Sequence, residues 1–297
     1  MKNPTRRQFV SALGFSLATS HLWGRAPEFT QPRATSGDSV LEPDWEKRLT
    51  VTIGPKAADI VGTNEKALQA AVDWVARYGG GTVKVLPGTY RLRNAIHMAS
   101  KVRLLGAGDD SVLLKEASVS APIAADSDWF DQEITLKNAD GFRLGDGIAL
   151  QTKNPHHGGK DVYKGTLVAR SGNRFKLDKA LRKNFWLRGE TTASTLFPII
   201  NCELVEDVVI ENITLDGNRV HNENFNGNYA GGIFAQDCSR LAFREVTSRN
   251  YNGDGFSWQI CHDVVVEGCR SHDNAGLGLH PGSGSQRPIM RHNRLER

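Results

Sequence analysis

No apolar run among the 297 residues reaches the length of about twenty that a membrane-spanning helix needs, which excludes a helical membrane span. Cysteine is scarce, and the four present (Cys202, Cys238, Cys261 and Cys269) lack the paired spacing of a structural metal site. Asn-Gly and Asp-Gly turns do not recur at the spacing that the hairpins of a β-sandwich require. Excess positive charge is also missing once the N-terminus is set aside. Residues 1–26 hold Lys2, Arg6, Arg7 and Arg25 and no acid, so 33 basic residues face 33 acidic ones in the remainder, against a whole-chain net charge of +4. A phosphate-tracking surface is thereby excluded, and nucleic acid with it as a partner.

What the sequence does have is a repeat. Gly232-Ile233-Phe234-Ala235-Gln236, Gly255-Phe256-Ser257-Trp258-Gln259 and Gly278-Leu279-His280-Pro281-Gly282 each start 23 residues after the last. The short apolar runs Val208-Val209-Ile210, Leu241-Ala242-Phe243 and Val264-Val265-Val266 repeat beside them. A unit this small cannot bury its apolar residues alone, so successive units must stack, hydrogen-bonded at roughly 4.8 Å. The expected fold is all-β: a right-handed parallel β-helix, a single-stranded solenoid. Cys238 and Cys261 then fall on neighbouring coils, expected as free, buried thiols with a disulfide as the alternative.

Thr5-Arg6-Arg7-Gln8-Phe9-Val10 and the mildly apolar stretch to Ala18 read as a twin-arginine export signal ending near Ala18 or Ala26. The location implied is periplasmic or secreted, with no stable membrane insertion after cleavage. Residues 27–54 read as a linker and 55–297 as the β-helix domain. Leu68, Ala71, Val72 and Val75 lie at helical spacing, with Thr63 as candidate cap and Gly79-Gly80-Gly81 as the stop. That helix should cap the first coil. Residues 128–190 break the coil rhythm and read as a small β insertion built of hairpins. Asp146 reads as a turn residue there, and the pair His156-His157 as solvated.

One connection is longer than its equivalents: Val208 and Leu241 are 33 residues apart where Leu241 and Val264 are 23, so ten extra residues lie in the loop from Arg219 to Tyr229. Long loops on a uniform scaffold are where function is carried. Strand alternation points Ile233, Phe256 and Leu279 inward and stacks Phe234, Ser257 and His280 outward, with Gln236 and Gln259 beside them and Asp254 at the start of its strand. Arg219, His221 and Tyr229 should wall this face into a concave groove. Asn212 and Asn293, at bends, read as ladder residues bonding the backbone.

Ala67-Leu68-Gln69-Ala70-Ala71-Val72-Asp73, Gly79-Gly80-Gly81-Thr82-Val83 and Pro87-Gly88-Thr89-Tyr90 together resemble the first helix and coil of the pectate-lyase-like superfamily. The resemblance covers most of residues 55–297 and implies a carbohydrate substrate without fixing the reaction, because that superfamily includes lyases, hydrolases and epimerases. Of the polygalacturonase motifs, Asn252-Gly253-Asp254-Gly255 approximates the first. No acid stands near Gly276-Leu277-Gly278 to make the second, and paired-carboxylate hydrolysis needs two acids.

The expectation is therefore an exported lyase acting on an acidic polysaccharide, with a glycoside hydrolase of polygalacturonase type or a non-catalytic glycan-binding or structural β-helix as alternatives. In β-elimination His280 could be the base, while Arg219, or Asp254 with a cation, could face the carboxylate. The residues fix no cofactor, and a calcium ion is the one candidate. Read as exposed, Asp254 and His280 should tolerate alanine with little loss of stability. The sequence stops at Arg297 within a coil that begins around Pro288, so further coils, or a second chain in an oligomer, are expected to cover that end.

Overall fold

The computed structural model describes residues 42–154, 156 and 158–296. The export signal with Arg6 and Arg7, most of the expected linker, and His157 lie outside the described residues. The rest is a right-handed parallel β-helix. Val208, Leu241 and Val264 pair in register on successive parallel strands, as do Ile233, Phe256 and Leu279.

Two parallel faces frame the coil. The larger runs through Leu49–Gly54, Gly81–Val85, Val102–Lys115, Glu206–Asp216, Ser239–Arg244, His262–Glu267 and Ile289–Arg291. The smaller consists of Ile96–His97, Ile200–Glu203, Gly231–Gln236, Asp254–Gln259 and Leu279–Pro281. Between them Ile233, Phe243, Phe256, Trp258 and Val264 are buried in one continuous core. Phe243 and Phe256 meet across it with ring centroids 6.2 Å apart.

The bends form because one residue per corner adopts the left-handed conformation. Asp207, Arg240, Asp263 and Arg287 share one corner with φ between 54° and 58°. Asn212, Glu245, Gly268 and His292 share another. Each left-handed non-glycine residue costs on the order of 1 kcal/mol, and contacts between coils offset it. Arg240 Nε lies 2.6 Å from Asp207 Oδ1 and Arg287 Nε 2.9 Å from Asp263 Oδ1. On the adjoining strands Glu211, Arg244, Glu267 and Arg291 stack in register with alternating sign. The bend asparagines act as ladder residues: Asn212 donates to the Gly106 carbonyl, and Asn293 both accepts from the Cys269 amide and donates to the Val266 carbonyl.

The helix Glu65–Arg77 buries Leu68, Ala71, Val72 and Val75 in the same core as the first coils. Its cap is Asn64, whose Oδ1 accepts from the Ala67 amide at 3.1 Å, not Thr63 one position earlier. The end of the expected linker supplies Leu49–Gly54, which pairs in parallel with Gly81–Val85. The insertion is an antiparallel sheet whose strands run from Ser120–Pro122 to Thr192–Ser194, wider than 128–190, with its own core around Leu150, Leu167, Phe175 and Phe185. Asp146 accepts from the Arg143 amide, as a turn residue would, and also binds Arg93 at 2.7 Å. All four cysteines are free and buried.

Candidate functional site

Strand register builds one outward column on the smaller face: His97, Asn201, Phe234, Ser257 and His280 follow one another on five successive strands. Glu203, Gln236 and Gln259 form the column beside it. The five residues point away from the core, yet the middle of the column is covered, with Phe234 and Ser257 at 0% exposure. Two segments cover it. From the insertion strand Lys160–Ser171, Lys164 Nζ sits 3.6 Å above the centroid of the Phe234 ring. From the long loop, the Gly227 carbonyl accepts from Ser257 Oγ at 2.6 Å and the Asn228 carbonyl from Gln259 Nε2 at 2.9 Å. The concave groove expected here is thus filled in its middle. Alternation dictates direction, whereas exposure depends on where the extra chain folds back.

At one end lies the pair Asp254 and His280. Asp254 Oδ2 is 2.6 Å from His280 Nδ1, and Asp254 Oδ1 accepts from the Leu277 amide at 2.7 Å. Asp254 is 4% exposed, not the exposed residue the sequence suggested. A carboxylate accepts, so Nδ1 is the donor in this pair, and in the neutral ring Nε2 is then the acceptor. Nε2 makes no hydrogen bond among the described residues, and the ring retains 24% exposure. Two glycines make room for the carboxylate: a Cβ at Gly227 would fall 1.7 Å from Asp254 Oδ2, and one at Gly276 would fall 2.1 Å from Oδ1.

The loop is anchored from below. Lys115 is wholly buried, donates to Asn252 Oδ1 at 3.2 Å, and lies 4.9 Å and 5.3 Å from the ring centroids of Phe197 and Tyr251. Asn252 in turn donates to the Glu223 carbonyl within the loop. Burial pulls the Lys115 ammonium down to about 7.

At the other end of the column the insertion docks through charge. Lys164 Nζ lies 3.3 Å from Glu203 Oε1 and Lys179 Nζ 3.6 Å from Glu203 Oε2. Burial brings Lys164 down to about 8 against the pull of Glu203. Burial also pushes the Glu203 carboxyl up, but Lys164 and Lys179 outweigh it and hold it below its ordinary value. His97 is lowered, first by burial and then by Lys179. Asn201 Nδ2 is 3.2 Å from His97 Nδ1, while its Oδ1 is buried without a partner among the described residues beside a cavity of about 30 Å³. That volume suits a water molecule, and Asn201, His97 and Lys164 supply polar partners.

The remaining expected site residues are scattered. Arg219 is exposed and donates to the carbonyls of Asp273 and Asn274, close to Leu277. His221 is exposed and holds Asn218 Oδ1 at 2.8 Å through Nδ1. Tyr229 packs half-buried against the core, and Gln236 donates to Asp237. Sequence reasoning missed His97, Lys164, Asn201 and Glu203. The offset of 33 from Phe234 back to Asn201, the same as from Leu241 back to Val208, was the available signal. For His97 and Lys164 the intervening insertion erased it. Among the described residues no three His, Cys, Asp or Glu side chains converge to hold a metal ion.

A family model described as a right-handed β-helix region matches residues 200–297. No curated protein matches the sequence. Among solved structures the chain is similar to the tailspike of Pseudomonas phage phi297, at 12% identity and TM-score 0.36 over 76% of this chain and 44% of the tailspike. It is similar also to the A-module of a mannuronan C-5 epimerase from Azotobacter vinelandii, at 16% identity and TM-score 0.37 over 78% of this chain and 53% of that one. A surface adhesin of Streptococcus pneumoniae matches at 15% identity and TM-score 0.35 over 72% of this chain and 35% of the adhesin. The chain thus spans less than half of the tailspike's length, and the likenesses concern the coiled fold alone.

Proposed function

We propose that this protein is an exported, carbohydrate-active β-helix enzyme that cleaves an acidic polysaccharide by β-elimination, with His280 as the base. The observation that carries the reading is the buried Asp254 carboxylate on His280 Nδ1, which leaves Nε2 free at a partly exposed edge of the outward face. In the proposed step Nε2 takes the proton from the carbon bearing the uronic carboxylate. The electron pair left behind forms the carbon–carbon double bond, the glycosidic oxygen on the next carbon departs, and that oxygen takes a proton from solvent. In this reading Arg219, held on the Asp273 and Asn274 carbonyls, is the cation proposed to meet the substrate carboxylate.

Hydrolysis fits less well. Both oxygens of Asp254 are engaged, one by Leu277 and one by His280, so it is poorly placed to act as a free acid or nucleophile. Purified protein should be incubated with pectate, alginate, glycosaminoglycans and neutral polysaccharides while the ultraviolet absorbance of unsaturated ends is followed. Absorbance from an acidic polymer that vanishes in His280→Ala is the expected result. New reducing ends without absorbance would replace elimination by hydrolysis, and binding without either would make this a glycan-binding protein. The export half of the proposal is supported by Arg6-Arg7 and the apolar stretch after them.

A further inference from the structure

A second concave site lies on the insertion, built from residues that neither the column nor the dyad uses. Trp129, Lys153, Asn154, Asp161, Trp186 and Arg188 are among the residues that enclose a cavity of about 560 Å³. That is within the range of sites that hold a small ligand. Its floor is fixed: Asp161 is 4% exposed, accepts from Asn154 Nδ2 at 2.6 Å, and holds Lys183. Its walls are aromatic. Trp129 keeps 51% of its surface exposed, and its backbone is held by Asn184 Oδ1 at 2.9 Å. Trp186 is held through Nε1 by Asp128 and carries the Arg188 guanidinium 4.0 Å above its ring.

The charge of the cavity is unbalanced. Lys183 is neutralised by Asp161. Lys153 and Arg188 are exposed and have no ion pair or side-chain hydrogen bond among the described residues; Arg188 has only the ring beneath it. Two cations without counter-ions beside an open indole select a ligand with an anionic group and a flat apolar face. Asn184 also lines the cavity, and its Nδ2, which makes no hydrogen bond among the described residues, suits a ligand hydroxyl. We infer that this cavity binds an acidic sugar residue, its ring against Trp129 and its carboxylate or sulfate on Lys153 and Arg188. The site shares its class of ligand with the proposed enzyme but none of its residues, so it stands if the elimination does not.

Tryptophan fluorescence and calorimetry with trigalacturonate, trimannuronate and a chondroitin sulfate tetrasaccharide test it, with maltotriose and sodium sulfate as controls. At least one acidic oligosaccharide should bind and change the fluorescence, more weakly as salt rises. The double variant Lys153→Gln/Arg188→Gln, or Trp129→Ala, should lower that affinity by about tenfold or more, while His280→Ala should leave it intact. All these changes are at exposed side chains, so the variants should keep the parent's melting temperature. The inference is overturned if none of the three acidic probes binds, if maltotriose or sulfate alone binds as tightly, or if the double variant binds like the parent.

Discussion

Asp254 and His280 are 26 residues apart in the chain and 2.6 Å apart in space, joined across neighbouring coils. The pairing makes them unequal. Asp254 is enclosed by Gly227 and Gly276 and orients the ring, whereas His280 presents the free nitrogen.

Their variants should therefore separate. His280→Gln keeps a donor toward Asp254 and should abolish turnover at a cost of about 1 kcal/mol or less. Asp254→Ala leaves the Leu277 amide unpaired and should cost about 1–3 kcal/mol as well as activity. Denaturant melts beside the absorbance assay measure both, and a stable, active His280→Gln would remove His280 from the chemistry.

Gly227→Ala should act on the same pair from the loop side. A Cβ 1.7 Å from Asp254 Oδ2 cannot be accommodated without moving the loop or the carboxylate. The imidazole signal of His280 in NMR should shift, and turnover should fall while the coil stack stays folded. An unchanged signal would mean that the loop yields without disturbing the pair.

Lys115 should give the fold a pH dependence of its own. Its ammonium is brought down to about 7 when folded and returns to its ordinary value, near 10.5, when unfolded. Between those limits the unfolded chain binds the extra proton, so stability rises with pH through that window and is lower below it. Lys115→Met should flatten this rise in melting temperature relative to the parent; parallel curves for the two proteins would show that Lys115 keeps its proton in the folded chain and that burial does not lower it.

Replacing Arg6 and Arg7 by lysine should hold the precursor in the cytoplasm, as fractionation and immunoblotting would reveal. Unchanged export would remove the twin-arginine route.

The coil stack was legible because its signal is periodic. Val208, Leu241 and Val264 announce their own neighbours by spacing alone. The column was legible only as a direction: Phe234 and Ser257 do point outward, but nothing in a 23-residue register says that Lys164 and Gly227 will lie on top of them. Asp254 was found by its place at the start of a strand. Its burial was not, since that depends on two glycines far apart in the chain. The insertion hid the rest, because it separates His97 from Asn201 in sequence while leaving them side by side in the sheet.

The alternating charges along the stack impose a rule of parity on its length. Asp207, Arg240, Asp263 and Arg287 on one column and Glu211, Arg244, Glu267 and Arg291 on another change sign together at every coil. Excising one coil would set Asp207 on Asp263 and Glu211 on Glu267, like charges directly opposite on both columns at once. Excising two would seat Arg287 on Asp207 and Arg291 on Glu211 and leave every contact attractive. A scaffold of this kind lengthens or shortens most readily by even numbers of coils.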